Sequence, residues 1–137
     1  MKRPATLPDT NVILRYLLAD VPEQFTTAKE FFEKVRTGVQ SAIISESVLV
    51  ECLYVLTKFY RVTRTDAATN LASLLQYKGI VNADRVTLSK SLELFAATTF
   101  DPVDCILAAR SAVAKNPVLT FDKALAKFTV TCPRESL

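Results

Sequence analysis

The chain has 137 residues, half of them apolar, and its 17 Lys and Arg against 14 Asp and Glu leave a net charge of +3. That length suits one domain with a substantial core, and so mild a basicity permits a nucleic-acid partner without demanding one. Histidine is absent and glycine occurs only twice, which excludes imidazole acid–base pairs, serine–histidine triads, histidine-bound zinc, Walker loops and dinucleotide fingerprints.

Residues 5–9 read as a short first strand, interrupted by Pro8. From Asn11 to Ala19 the spacing of Val12, Ile13, Tyr16, Leu17 and Ala19 predicts a helix. Pro22 opens a second helix that turns Phe25, Ala28, Phe31, Phe32 and Val35 inward and ends at Gly38. Val39–Ile44 reads as a strand. Ser45 or Ser47 then caps a long helix to about Tyr60.

A further helix is expected from Thr65 to Tyr77, with Ala68, Leu71, Ala72 and Leu75 on one stripe and Gly79 as the stop signal. Ile80-Val81 is a minor strand. Asp84–Thr98 is helical in pattern, with Val86, Leu88, Leu92, Leu94 and Phe95 supplying apolar contacts. Asp101-Pro102 opens a helix to about Lys115; Val118–Phe121 is a buried strand, Lys123–Lys127 a short helix and Phe128–Cys132 a last strand. Strands alternating with helices imply an α/β fold: a mainly parallel central sheet of four to five strands with helices on both faces, all in one domain over residues 1–137.

Cys52, Cys105 and Cys132 are widely spaced in apolar surroundings, which fits reduced thiols of a cytoplasmic protein better than a disulfide framework. Pro4, Pro8, Asp9 and Arg15 interrupt any signal-like apolar stretch, and no run approaches the ~20 residues that span a bilayer. A soluble protein is expected.

Four acids are placed where an α/β fold gathers its ligands, outside the carboxyl ends of parallel strands. Asp9 and Asp122 each end a strand, and each also suits a helix N-cap. Glu51 is flanked by Val48, Tyr54 and Val55 on a helix, so its carboxylate is expected to be desolvated unless a cation or a partner such as Arg15 meets it. Asp104 lies at the third position of a helix that Asp101 caps, and Asp101 is a candidate outer member of the set. Glu46 has the simpler reading of a first-turn acid favoured by the helix dipole. Four oxygen ligands with no nitrogen alternative suit Mg²⁺ or Mn²⁺.

The segments Asp9–Leu17, Ser45–Leu56, Phe100–Ala109 and Leu119–Asp122 together resemble those of PIN-domain ribonucleases, most closely the VapC-type toxins of prokaryotic toxin–antitoxin pairs. The resemblance implies an acidic cluster of Asp9, Glu51, Asp104 and Asp122, a parallel sheet with flanking helices, a homodimer, and inhibition by a small antitoxin. Pro8 departs from the family pattern, which has an apolar strand residue there.

The expected activity is metal-dependent hydrolysis of RNA. Asn11 and Thr120 are candidates to orient the ligands from behind; Arg15, Lys58, Arg61 and Arg64 are candidate phosphate contacts, or else ordinary solvated helix ends. Two other readings stand beside it. In one the acids are only caps and the protein is a non-catalytic RNA- or protein-binding module. In the other a strand-ending Asp accepts a phosphoryl group beside Lys123. Finally, Phe25, Phe31 and Phe32 on one helix and Leu71, Leu74 and Leu75 on another look like more apolar surface than two exposed faces need, which favours a dimer and a groove for an amphipathic antitoxin segment.

Overall fold

The computed structural model describes residues 3–132. Its helices are α1 (Thr10–Leu18), α2 (Pro22–Thr37), α3 (Glu46–Tyr54), α4 (Arg64–Leu75), α5 (Arg85–Ala97), α6 (Pro102–Ala114) and α7 (Lys123–Ala126), with strands β1 (Pro117–Val118) and β2 (Val130–Thr131). Most helix ends follow from local chemistry. Pro22 and Pro102 occupy first-turn positions where a missing N–H costs nothing. Gly38 closes α2 at φ +85°, the left-handed geometry that glycine reaches without strain. Thr63 caps α4 by accepting from the Asp66 amide at 3.1 Å.

The long helix expected to reach Tyr60 changes character on the way. α3 passes at Val55 into one π-helical turn, Val55–Phe59, closed by a 3.1 Å bond from the Tyr60 amide to the Val55 carbonyl. Within it the Thr57 hydroxyl donates to the Leu53 carbonyl at 2.7 Å, a side-chain bond that competes with the regular ladder.

The sheet is smaller than the sequence suggests. Ala42 bridges in parallel to Thr6 on one side and to Ile80 on the other, through bonds of 2.8–3.0 Å at Thr6, Ile43, Ala42 and Val81. A separate parallel pair joins β1 to β2. A continuous sheet of four to five strands is not present among the described residues, for two physical reasons. Pro8 has no N–H to extend the first strand. At the other edge the Asn82 side-chain amide pairs with both the N–H and the C=O of Ile44, at 2.9 and 2.8 Å, where a backbone strand would otherwise continue. The segment read as a buried strand from Val118 to Phe121 stops at Val118, and Leu119 and Phe121 face solvent.

The buried apolar residues form one contiguous cluster drawn from α1 to α7 and the central bridge, with Phe32, Ile44, Leu49, Leu71, Leu75, Leu88 and Phe95 among its largest members. Phe32, Leu71, Leu74 and Leu75 are all consumed there, while Phe25 and Phe31 are half-buried. Four of the six side chains that suggested a dimer are thus absorbed by the fold's own core, while Phe25 and Phe31 keep part of their surface accessible. Val86, expected to contribute contacts, is exposed on α5.

Polar ties set the helices against each other. Glu46 in the first turn of α3 pairs with Arg110 of α6. Burial, followed by a 2.7 Å hydroxyl bond shared with Tyr77, holds the Tyr16 phenol well above its usual range. No helix among the described residues is long and apolar enough to cross a membrane.

Gly79 is not a helix stop, since α4 already ends at Leu75. Its reason is space: a Cβ there would lie 2.1 Å from the Gln40 carbonyl oxygen and 2.7 Å from that of Val35, both backbone atoms of the central packing. Gly79→Ala is therefore expected to cost about 3 kcal/mol or more in denaturant unfolding. Gly38→Ala, which meets only the flexible Lys78 side chain but keeps a positive φ, is expected to cost about 1 kcal/mol. Equal losses in the two variants would contradict this assignment.

Candidate active site

The acids sit where extended segments hand over to helices. Asp9 follows the Thr6 bridge and caps α1: its Oδ1 accepts from the Val12 amide at 3.0 Å. Asp122 caps α7 in the same way, its Oδ1 accepting from Ala124 at 2.9 Å and Leu125 at 3.1 Å. In both residues Oδ2 makes no hydrogen bond among the described residues. Capping and ligation therefore do not compete, because the cap uses one oxygen and leaves the other.

Asp101 precedes α6 at its cap position without a side-chain cap bond, and Asp104 lies in the first turn. Burial, Asp101 and Asp122 all raise the proton affinity of the Asp104 carboxyl, in that order of effect. Asp104 thus feels the charge of both other carboxylates. Asp9 and Glu51 form a second neighbourhood around Cys52. That buried thiol is pushed up to about 12, first by desolvation and then by the charges of Glu51 and Asp9. α3, which carries Glu51, packs against both α1 and α6, so it lies between the two neighbourhoods.

Glu51 itself departs from expectation. It is exposed, and Arg15 does not meet it. The apolar flanks at Val48, Tyr54 and Val55 are only half-buried, so the helix turns its acid outward to water and the desolvation argument fails.

The basic candidates divide sharply. Arg15 is held by Asp20 at 3.0 Å and by the Tyr60 hydroxyl at 3.0 Å. Arg64 donates to the carbonyls of Phe95 and Phe100 at 3.1 and 2.6 Å and stacks 3.6 Å over the Phe95 ring. Both are structural anchors. Lys58 and Arg61 flank the end of the π-helical turn and are exposed, with Arg61 at a positive φ of 59°.

Of the two residues expected behind the ligands, Thr120 has a clear part: its hydroxyl accepts from the Asp122 amide at 3.0 Å and fixes the turn that presents that acid. Asn11 is exposed and makes no side-chain hydrogen bond among the described residues. Sequence reasoning placed Cys52 only as a reduced thiol and missed that the charges of Glu51 and Asp9 both act on it, and it missed the exposure of Phe121. The signal for the latter was available, since Thr-Phe-Asp before a short helix is a turn pattern as well as a strand end.

Among the described residues no three of Asp, Glu and Cys come together closely enough to cage a metal ion. The donors nevertheless fit a hard divalent cation in charge and atom type. Mg²⁺ is commonly held by one or two carboxylates, with water and substrate phosphate completing its shell, so a closed protein cage is not required. The mutual repulsion registered at Asp104 is the property a cation would relieve.

Fold and site together define an α/β protein that presents carboxylates at the ends of parallel extended segments. The chain belongs to the PIN domain family, whose model matches residues 6–130 and so spans every acid described above. No curated protein and no solved structure matches it. PIN domains are generally nucleases, act on RNA and typically use a divalent metal.

The raised proton affinity of Asp104 has a consequence for stability. Because the folded state binds this proton more tightly than the unfolded chain, the group costs stability as pH rises from its ordinary value of 3.8 through the raised one. In the absence of divalent cations Asp104→Asn should therefore melt higher than wild type at neutral pH, by up to about 1 kcal/mol for so solvent-screened a charge. The gain should vanish in acid, where both proteins are neutral at this position. A variant less stable than wild type at neutral pH would reverse the assigned sign.

Proposed function

We propose that the protein is a metal-dependent endoribonuclease, the toxin of a toxin–antitoxin pair. The observation that carries the catalytic part is the family match over residues 6–130, with Asp122 presented by its cap bonds and the Asp104 carboxyl raised in proton affinity by burial and by the charges of Asp101 and Asp122. A cation there would relieve that repulsion at Asp104.

Asp9, Glu51, Asp104 and Asp122 are the residues that would hold the cation, with Asp101 at the margin. A bound divalent ion supplies an acidified water and a counter-charge for the scissile phosphate. The chain's own part is positional. Asp9 and Asp122 are fixed by their cap bonds, so their free oxygens are aimed before substrate arrives. Thr120 holds the Asp122 turn. Lys58 and Arg61, exposed and outside the ion pairs of the described residues, supply phosphate contacts. Arg15 and Arg64 act indirectly, by holding the π-helical turn and the approach to α6.

The antitoxin part is supported by a groove of about 800 Å³ between α1, α2 and residues 6–8, lined by Leu7, Asp9, Val12, Arg15, Ala28 and Phe31. An amphipathic segment lying there would place its apolar side chains on Phe31 and Ala28 and a basic one beside Asp9. This groove replaces the apolar helix faces as the ground for expecting a partner. The homodimer remains a proposal that rests on the family resemblance.

The test is cleavage of a pool of structured RNAs. Wild type should cut in Mg²⁺ or Mn²⁺ and stop in EDTA, and Asp104→Asn or Asp122→Asn should lose at least about 100-fold in rate. Cleavage that persists in EDTA, or at the wild-type rate in both variants, would refute the mechanism.

A further inference from the structure

Arg64 opens α4, a helix that bears none of the candidate acids, yet its side chain reaches across to the turn between α5 and α6. Its Nε donates to the Phe95 carbonyl at 3.1 Å and its Nη2 to the Phe100 carbonyl at 2.6 Å, while the guanidinium lies 3.6 Å over the Phe95 ring. No carboxylate pairs with this half-buried cation among the described residues. Its partial withdrawal from water is offset instead by charge-assisted bonds to two carbonyls.

The Phe100 carbonyl belongs to the peptide that leads into Asp101. Asp101 occupies the cap position of α6 at φ −62° and ψ 154°, the extended geometry from which an Asp side chain ordinarily accepts from the second or third amide of its helix. It makes no such bond, whereas Asp9 and Asp122 cap α1 and α7 through their side chains. The start of α6 is held from outside instead. Arg64 grips the Phe100 carbonyl, and the Thr98 hydroxyl accepts from the Phe100 amide at 3.2 Å while donating to the Leu94 carbonyl at 2.8 Å. The Asp101 carboxylate is thereby left uncommitted, less than one helical turn before Asp104.

We infer that Arg64 is the positioning residue for the Asp101–Asp104 side of the site: it holds the turn that Asp101 would otherwise cap, and so keeps that carboxylate free beside Asp104 to meet a cation. This rests on the cation-site reading of the proposed function. The arrangement asks for arginine in particular. Two donors at a fixed angle serve two carbonyls at once, and the flat face lies on a ring. A lysine brings the charge without the fork or the face. Once the fork is lost, the unpaired amides of the first turn of α6 compete for Asp101 and draw it away from the cation.

The test is Mn²⁺ binding by the full chain, measured by calorimetry, with the melting temperature recorded for each variant. Arg64→Lys should bind Mn²⁺ about tenfold more weakly than wild type and, on RNA, lose about tenfold in kcat with KM within about twofold. Asp101→Ala should weaken Mn²⁺ binding to a similar degree. Adding Arg64→Lys to it should weaken binding no further, because the carboxylate that Arg64 keeps free is gone. Thr98→Val, which loses the hydroxyl on the Phe100 amide, should shift Mn²⁺ affinity in the same direction and carries the test if Arg64→Lys does not fold. An Arg64→Lys protein that melts lower but binds Mn²⁺ as wild type does would overturn the proposal and leave Arg64 a structural anchor. Unchanged affinity in Thr98→Val, or losses that multiply in the double variant, would overturn it too. A wild type that binds no Mn²⁺ would remove the cation site itself, and the proposal with it.

Discussion

The structure hangs on the backbone at Ala42. This fully buried residue bonds through its own N–H and C=O to Gly79 and Val81, while its neighbours Ser41 and Ile43 bond to Thr6. Three chain segments distant in sequence are thereby made parallel and brought to a common end. Gly79 lets the third segment press against the backbone of Val35 and Gln40, which ties the junction to the end of α2. Asp9 lies just past the first segment, and the second runs through Ile44 into the helix that carries Glu51. The C-terminal part joins separately: the Ser111 hydroxyl accepts from the Val130 amide at 2.6 Å, securing β2 to α6.

Three of the candidate acids have a local reason to be where they are. Asp9 and Asp122 satisfy amides that their helices leave unpaired, and Asp104 benefits from the positive end of α6. Local capping and like-charge repulsion pull in opposite directions, and at Asp104 burial, followed by the charges of Asp101 and Asp122, raises the proton affinity. In the proposed function a cation would relieve that cost at Asp104.

The helices were legible in the sequence because their ends carry direct chemical signals: Pro22 and Pro102 at starts, Gly38 at a stop, Asp122 as a cap. The strands were not. Their pairing depends on what lies beside them, and neither the Asn82 amide that substitutes for a strand at Ile44 nor the turn at Thr120 changes the apolar pattern from which a strand is read. The same limit explains Glu51, whose apolar neighbours do not reveal which way the helix turns. It explains Arg15 and Arg64 too, because an arginine's partner, here Asp20 or a pair of carbonyls, is a tertiary fact. For the candidate site, the capping roles open to Asp9 and Asp122 were readable and the division of the acids into two neighbourhoods was not.

The central claim is that both neighbourhoods serve one cation site, and paramagnetic broadening by Mn²⁺ in the NMR spectrum of the labelled protein tests it most directly. The effect falls off steeply with distance from the bound ion, so it reports location without requiring activity. The account predicts that substoichiometric Mn²⁺ broadens the resonances of Asp9, Glu51, Asp104 and Asp122 together and leaves those around Val39 and Val86 sharp. Broadening confined to residues near Asp101, Asp104 and Asp122, or scattered over the surface acids, would contradict it.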